Sequence, residues 1–188
     1  MDTADFKTIR IKKGLNVPLA GVPRQEICEG APVRRVAILG PDYVGMRPSM
    51  AVAEGDTVRQ GQVLFEDKKT PGVLYTAPGT GRVVAINRGA RRMLESVVIE
   101  LSTDAPETLP QTPGGRLDRL GEEEVRRTLV QSGFWTAFRT RPFSKVPAPD
   151  TKPHAVFVTA IDTHPLAAAP EIIINERPDA FTAGLKVL

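Results

Sequence analysis

The feature that most restricts how this chain can fold is an internal repeat. Shifting the sequence by 34 residues lays MAVAEG (50–55) over VAINRG (84–89) and QVLFE (62–66) over SVVIE (96–100). Ala51 falls on Ala85, Gly55 on Gly89 and Glu66 on Glu100. A copied strand–turn–strand unit cannot bury its apolar face alone, so the two copies are expected to intertwine about a pseudo-two-fold axis. Short β-branched runs bounded by glycine or proline predict strands at 36–39, 50–53, 63–65, 73–76, 83–87 and 97–101. The expectation is a small β-sandwich over residues 36–102 that closes its own edges.

The flanks differ in character. Residues 1–35 hold short strand candidates, notably 7–12, where Ile9 and Ile11 alternate, broken by Gly14, Pro18, Gly21 and Pro23. Residues 103–115 (TDAPETLPQTPGG) have no apolar periodicity and read as a semi-extended linker. From 116 onward the period changes. GEEEVRRTLVQS (121–132) predicts a helix, with glutamates at its start, Val125 and Leu129 on one face, and Gly133 as its left-handed stop. Residues 133–153 read as a long proline-rich loop. HAVFVTAI (154–161) is a nearly continuous apolar run and predicts a buried parallel strand with Asp162 at its C-terminal end. A further helix begins at Pro178, with Phe181, Leu185 and Leu188 at helical spacing. One strand and two helices do not complete a core. Residues 116–188 are therefore expected to be the start of a Rossmann-like α/β domain, truncated or completed by another chain, which gives a mixed α+β class overall.

Composition excludes several functions. Net charge is only +3, and the arginine pairs at 34–35, 91–92 and 126–127 are dispersed, so no stripe for nucleic acid forms. Cys28 is the single cysteine, which rules out an internal disulfide or a thiolate cluster and fits a reducing compartment. No apolar run approaches the about 20 residues of a membrane span. His154 and His164 have no third ligand nearby, so no metal site is expected. Gly79-Thr80-Gly81 is followed by a strand rather than a helix, and is not a phosphate loop. Asp162-Thr163-His164-Pro165 reads as a polar cluster in which Asp162 caps the next turn.

Two stretches carry candidate chemistry. LFEDKKTPGVLYTAPGTGRV (64–83) is close to the hairpin on which carrier domains display the lysine that takes lipoate or biotin. In that pattern the lysine stands at a set distance ahead of the proline of an Ala/Ser-Pro-x-x-Gly turn. The corresponding position here is Thr70, so neither Lys68 nor Lys69 is in register and neither is expected to be modified. The second stretch is FWTAFRTRPFSK (134–145). Phe134, Trp135, Phe138 and Phe143, with Phe157 further on, interleave with Arg139, Arg141 and Lys145. Aromatic faces and cations together suit a planar amphiphile such as a quinone. The same residues also suit a loop pinned by aromatic anchors whose arginines grip a neighbouring protein, and the residues alone do not separate the two.

The blocks IKKGLNVPLAG (11–21), VGMRPSM…EGD…GQVLFEDKKTPGVLYTAP (44–78), SVVIE (96–100), SGFWTAFRTRPFSKVPA (132–148) and AIDTHPLAA (160–168) resemble one family closely: the A subunit of the sodium-translocating NADH:quinone oxidoreductase. The resemblance covers nearly the whole chain. It implies a biotinyl/lipoyl-like β barrel-sandwich domain over residues 36–102, followed by the start of a Rossmann-like α/β domain related to the flavin subunit of respiratory complex I. The glycines of that relative's flavin loop are replaced here by Trp-Thr-Ala-Phe-Arg (135–139), and Asp162 alone persists, so no tightly bound flavin is expected. The family implies a non-catalytic subunit that docks to other subunits, one of them membrane-embedded, on the cytoplasmic face of the bacterial inner membrane. It also implies a part in the ubiquinone site, for which Phe138, Arg139, Arg141, Phe143 and Lys145 are the candidates, with Tyr43 in the 39–46 turn nearby. A purely structural subunit is the competing reading, and a carrier domain using Lys68 or Lys69 is the third.

Overall fold

The computed structural model describes residues 10, 14, 18–102 and 120–188. The strand expected at 7–12 falls largely outside the described residues, and the linker at 103–115 wholly so. The chain divides into two compact units, Gly30–Val156 with Thr182–Leu188, and Phe157–Phe181 with the described residues up to 29.

The larger unit is built on seven strands: β1 (Arg35–Leu39), β2 (Pro48–Met50), β3 (Thr57–Val58), β4 (Val63–Asp67), β5 (Leu74–Thr76), β6 (Gly81–Arg88) and β7 (Leu94–Leu101). They form two antiparallel sheets of order β1-β7-β6-β3 and β2-β4-β5. The repeat is visible in this order. β4 and β7 are copies of one another, and each is an inner strand, flanked by β2 and β5 or by β1 and β6. In the first copy Met50 faces Phe65. In the second, Ile99 faces Val83 and Val98 faces Ala85, a bulge that leaves Val84 between them.

The copies interlock through β3. It follows β2 in sequence but pairs with the start of β6, Thr57 opposite Arg82 and Val58 opposite Gly81. The Gly55 amide donates to Val83 and the Val83 amide to Asp56, both at 2.8 Å. Gly81 sits so close to the Glu100 carbonyl that a β-carbon there would overlap it. Inward side chains of both sheets meet in one core: Leu64, Phe65, Val73 and Tyr75 from one sheet, Val58, Val83, Leu94, Val97 and Ile99 from the other. Burial of each such side chain stabilises the fold by about 1.5–3 kcal/mol before entropy is counted.

The strand expected at 50–53 ends at Met50. The Asp56 carboxylate reaches back to accept from the Ala53 amide at 2.8 Å, and Gly55 between them stands at φ 96°, so a side-chain-closed turn draws the chain away from the sheet.

The predicted helix at 121–132 is α1 (Glu122–Gln131), and Gly133 follows at φ 80° as its left-handed stop. α1 is fastened to the barrel where it ends. The Thr76 hydroxyl of β5 donates to the Ser132 carbonyl at 3.1 Å, and Trp135 sinks into the core at 7% exposure.

Residues 154–161 do not form the buried strand that their composition predicts. All eight are exposed, and Phe157 is 86% exposed. A strand exists only with a hydrogen-bonding neighbour, and among the described residues none pairs with this segment. Two helices follow, α2 (Pro170–Glu176) and α3 (Pro178–Val187). α3 begins at the proline expected to start it. α2 was not anticipated, although Pro170 at its first turn and Glu171 behind it are helix-start signals. It stops at Arg177 because Pro178 disfavours helical geometry in the residue before it.

Gly133→Ala is expected to destabilise the larger unit by about 1–3 kcal/mol, since the left-handed backbone strains any β-carbon and that carbon would overlap Thr76. Denaturant titration of Gly133→Ala alone and with Thr76→Ala separates the two effects. The second substitution recovers the steric part and leaves the backbone part.

Candidate functional site

Tyr75 lies at the centre of the aromatic packing. Its position on β5 turns it inward, where 2% of it remains exposed. Phe65 of β4 stacks on it at 4.5 Å between centroids and 15° between planes. Tyr43, from the turn after β1, meets it edge-on at 4.7 Å and 83°. Over the Tyr43 ring stands Arg139, its guanidinium carbon 5.1 Å from the centroid. A line of contacts therefore runs from the barrel core, through two tyrosines, to a cation at the surface.

Arg139 is held by its own loop. Its Nη1 donates to the Thr136 carbonyl and, at 2.9 Å, to the Phe138 carbonyl. Phe138 is half-buried and packs edge-on against Trp135 at 5.2 Å. Trp135 in turn donates Nε1–H to the Pro147 carbonyl at 2.8 Å and lies under the Arg126 guanidinium at 5.4 Å. Arg126 also donates to the Pro149 and Thr151 carbonyls, which ties residues 147–151 to α1.

Past Arg139 the chain makes a tight turn. The Thr140 amide donates to the Lys145 carbonyl and the Ser144 amide to the Thr140 carbonyl, both at 2.8 Å. Arg141 and Phe143 stand outward at its tip, with Phe143 71% exposed. Of the six candidate residues the fold thus gathers Tyr43, Phe138 and Arg139, and carries Lys145 to a hollow lined also by Tyr43. Arg141 and Phe143 it presents to solvent, and Phe157 lies in the other unit.

Two concavities share Tyr43 and Tyr75 as a common wall. The smaller, of about 290 Å³, is polar, with Asp67, Lys69, Thr70 and Lys145 around it. The larger, of about 420 Å³, runs along β1 and β5 to the end of α1. Sequence reasoning missed Tyr75, Arg126 and the anchoring of Trp135 beneath the loop. The signal for Tyr75 was present in the inward alternation of Val73, Tyr75 and Ala77.

Lys68 and Lys69 fall in the β4–β5 connection, as the hairpin pattern suggests. That connection is bound down along its length. Buried Asp67 accepts from the Arg47 and Lys69 amides at 2.8 and 3.0 Å, the Lys68 amide donates to the Arg47 carbonyl, and Glu66 takes the Gly72 amide. Asp162 caps its own turn. Its carboxylate accepts from the His164 amide at 2.9 Å and lies 2.6 Å from His164 Nδ1. The amide first, then the ring, holds its pKa below the usual carboxylate value.

The comparisons match this architecture. The family description "NqrA N-terminal barrel-sandwich hybrid domain" matches residues 9–102, and "NqrA second alpha/beta domain" matches 120–188. The chain belongs to the NqrA family. It is similar to the A subunit of the Na(+)-translocating NADH-quinone reductase of Actinobacillus succinogenes, with 58% identity over 96% of this chain and 41% of that protein. The proteins of the same description from Vibrio atlanticus and Yersinia pseudotuberculosis are 56% and 54% identical over 96% of this chain and 40% of theirs. The chain spans about two fifths of the length of these family members.

Burial first, then the nearby Asp67 carboxylate, pushes the Tyr75 phenol well above the ordinary value of about 10. A proton held more tightly in the folded state leaves stability flat below pH about 10 and lowers it as pH rises beyond that. The slope from this one group reaches at most about 1.4 kcal/mol per pH unit. Denaturant midpoints measured from pH 8 to 11.5 are expected to fall less steeply for Tyr75→Phe than for the wild type. In Tyr43→Phe, tyrosinate absorbance is expected to appear only together with unfolding.

Proposed function

We propose that the chain contributes to a sodium-translocating NADH:quinone reductase by lending the Arg139 loop and Tyr43 to its quinone site. The observation that carries this reading is the guanidinium of Arg139 stacked on Tyr43 beside Phe138. Nη1 is engaged by two loop carbonyls, which leaves Nε and Nη2 to meet a quinone carbonyl. A cation so placed stabilises the negative charge that develops on a quinone oxygen as it accepts electrons, while the aromatic faces position the ring. Lys145 lines the polar hollow on the other side of Tyr43, and Arg141 and Phe143 at the loop tip would reach a quinone only from the solvent side. In this role the chain binds ubiquinone and does not oxidise NADH.

The complex formed with other subunits, one of them membrane-embedded, would hold the chain at the cytoplasmic face of the inner membrane. No helix among the described residues is long and apolar enough to cross a bilayer. The competing reading is a docking subunit. It is favoured by Phe143 and Arg141 standing free at the loop tip, where a partner surface would meet them first.

Arg139→Ala combined with Arg141→Ala, in the full-length protein built into the complex, tests the two. Quinone reading: NADH oxidation with a water-soluble artificial acceptor holds, while ubiquinone reduction falls by about 10–100-fold, equivalent to about 1.4–2.7 kcal/mol of lost interaction. Intact assembly with both rates at wild-type level would remove these arginines from quinone chemistry and favour docking.

We also propose that neither Lys68 nor Lys69 carries a lipoyl or biotinyl group, and that the chain holds no flavin tightly. Thr70 occupies the carrier register, and bulky side chains stand where a flavin phosphate would need bare backbone. An intact mass equal to the unmodified sequence and no visible absorbance are expected. An added lipoyl or biotinyl mass, or a yellow protein, would reverse the respective statement.

A further inference from the structure

The larger groove has a construction that the quinone reading leaves unused. β1 is an edge strand of the four-stranded sheet and β5 an edge strand of the three-stranded one. The groove lies where residues 37–39 of the first and 75–77, at and just past the end of the second, form its sides, and residues 132–134 and 136 form its end. It is therefore the open seam of the barrel. Its volume of about 420 Å³ lies in the range of small-molecule sites. Ile38, Leu39, Ala77, Pro78 and Phe134 supply its apolar surface. Three of these stand open to solvent: Pro78, Leu39 at 46% and Phe134 at 57% exposure.

The groove is continuous with the Arg139 site at two points. Tyr43 lines it and carries Arg139 over its ring. Thr136 lines it too, and the Thr136 carbonyl is an acceptor for Arg139 Nη1. On the other side of Tyr43 the smaller hollow is ringed by Asp67, Lys69, Thr70 and Lys145. An amphiphile whose ring rests on Tyr43 thus has one apolar direction open to its tail.

We propose that this seam binds the isoprenoid side chain of the quinone whose head group meets Tyr43 and Arg139. The proposal rests on the quinone reading and adds the part of the substrate that reading does not place. Leu39 and Phe134 determine the preference for a tailed acceptor, because each methylene they cover is withdrawn from water.

The test uses the assembled complex containing the full-length protein, with ubiquinones bearing no, one and two isoprene units as acceptors. In the wild type, KM is expected to fall with each added unit. In Leu39→Ala and in Phe134→Ala, both partly exposed positions, KM for the two-unit acceptor is expected to rise about five- to ten-fold, while kinetics with the tail-less acceptor stay within about twofold. Ala37→Leu, which fills the seam instead of opening it, is expected to impose the same selective loss.

Equal effects on all three acceptors, or none, would overturn the proposal. Loss of assembly in the groove variants would overturn it as well, because the seam would then be holding a partner protein. Arg139→Ala tells the two levels apart. If it impairs tailed and tail-less acceptors alike while the groove variants show no tail dependence, only the seam proposal falls. If it impairs neither, the quinone reading falls and the seam proposal with it.

Discussion

Everything in the larger unit depends on one exchange between the two copies of the repeat. β3 leaves the first copy and pairs with β6 of the second, and Gly55, Asp56 and Val83 bond across the same junction. Neither copy could bury Phe65 or Ile99 alone, because each contributes a few short strands with one apolar face. The crossing also decides where the seam opens. With β3 committed to β6, the edges left to face one another are β1 and β5, and both end beside Tyr43. The interlock that builds the core thereby sets the position of the site.

The barrel was legible in the sequence because its signals are local. Alternation of period two, turn residues and a fixed shift of 34 mark the strands without knowledge of what they pack against. The run at 154–161 carries an equally strong local signal and forms no strand, since pairing is a relation to a second segment and no composition of the first can supply it. The end of the strand predicted at 50–53 failed for the opposite reason. There the Asp56 carboxylate captures the Ala53 amide, and a short-range polar bond overrides apolar propensity.

The candidate site was legible only as composition. FWTAFRTRPFSK announces rings and cations but not their division of labour. In the fold that division is sharp. Trp135 and Arg126 serve the packing, since the indole N–H, the guanidinium and three carbonyls satisfy one another beneath the loop. Arg139 is shared between loop carbonyls and the Tyr43 ring, and Arg141 and Phe143 meet only solvent at the tip. The anchor-like reading thus fits Trp135, while Arg139 keeps the cation-on-ring arrangement that the ligand-like reading requires. Tyr75 escaped notice because a single aromatic in a short strand reads as core. It is core, yet it also forms the wall between the polar hollow and the apolar seam.

The hairpin that gave the sequence its carrier-like look is held differently from a projecting arm. A carrier lysine works at the tip of a hairpin that projects far enough for its side chain to swing between sites. Here Asp67, nearly fully buried, gathers the amides of Arg47 and Lys69, and the Lys68 amide donates to the Arg47 carbonyl, so the tip is drawn down against the residue that leads into β2. Removing a buried carboxylate that holds two amides leaves both donors unsatisfied, a cost of about 1–3 kcal/mol each. That cost resists any rearrangement that would free the tip. The same carboxylate raises the Tyr75 phenol and helps to fix the face against which Tyr43 rests. The hairpin supports the aromatic wall, and Lys69 within it belongs to the rim of the polar hollow.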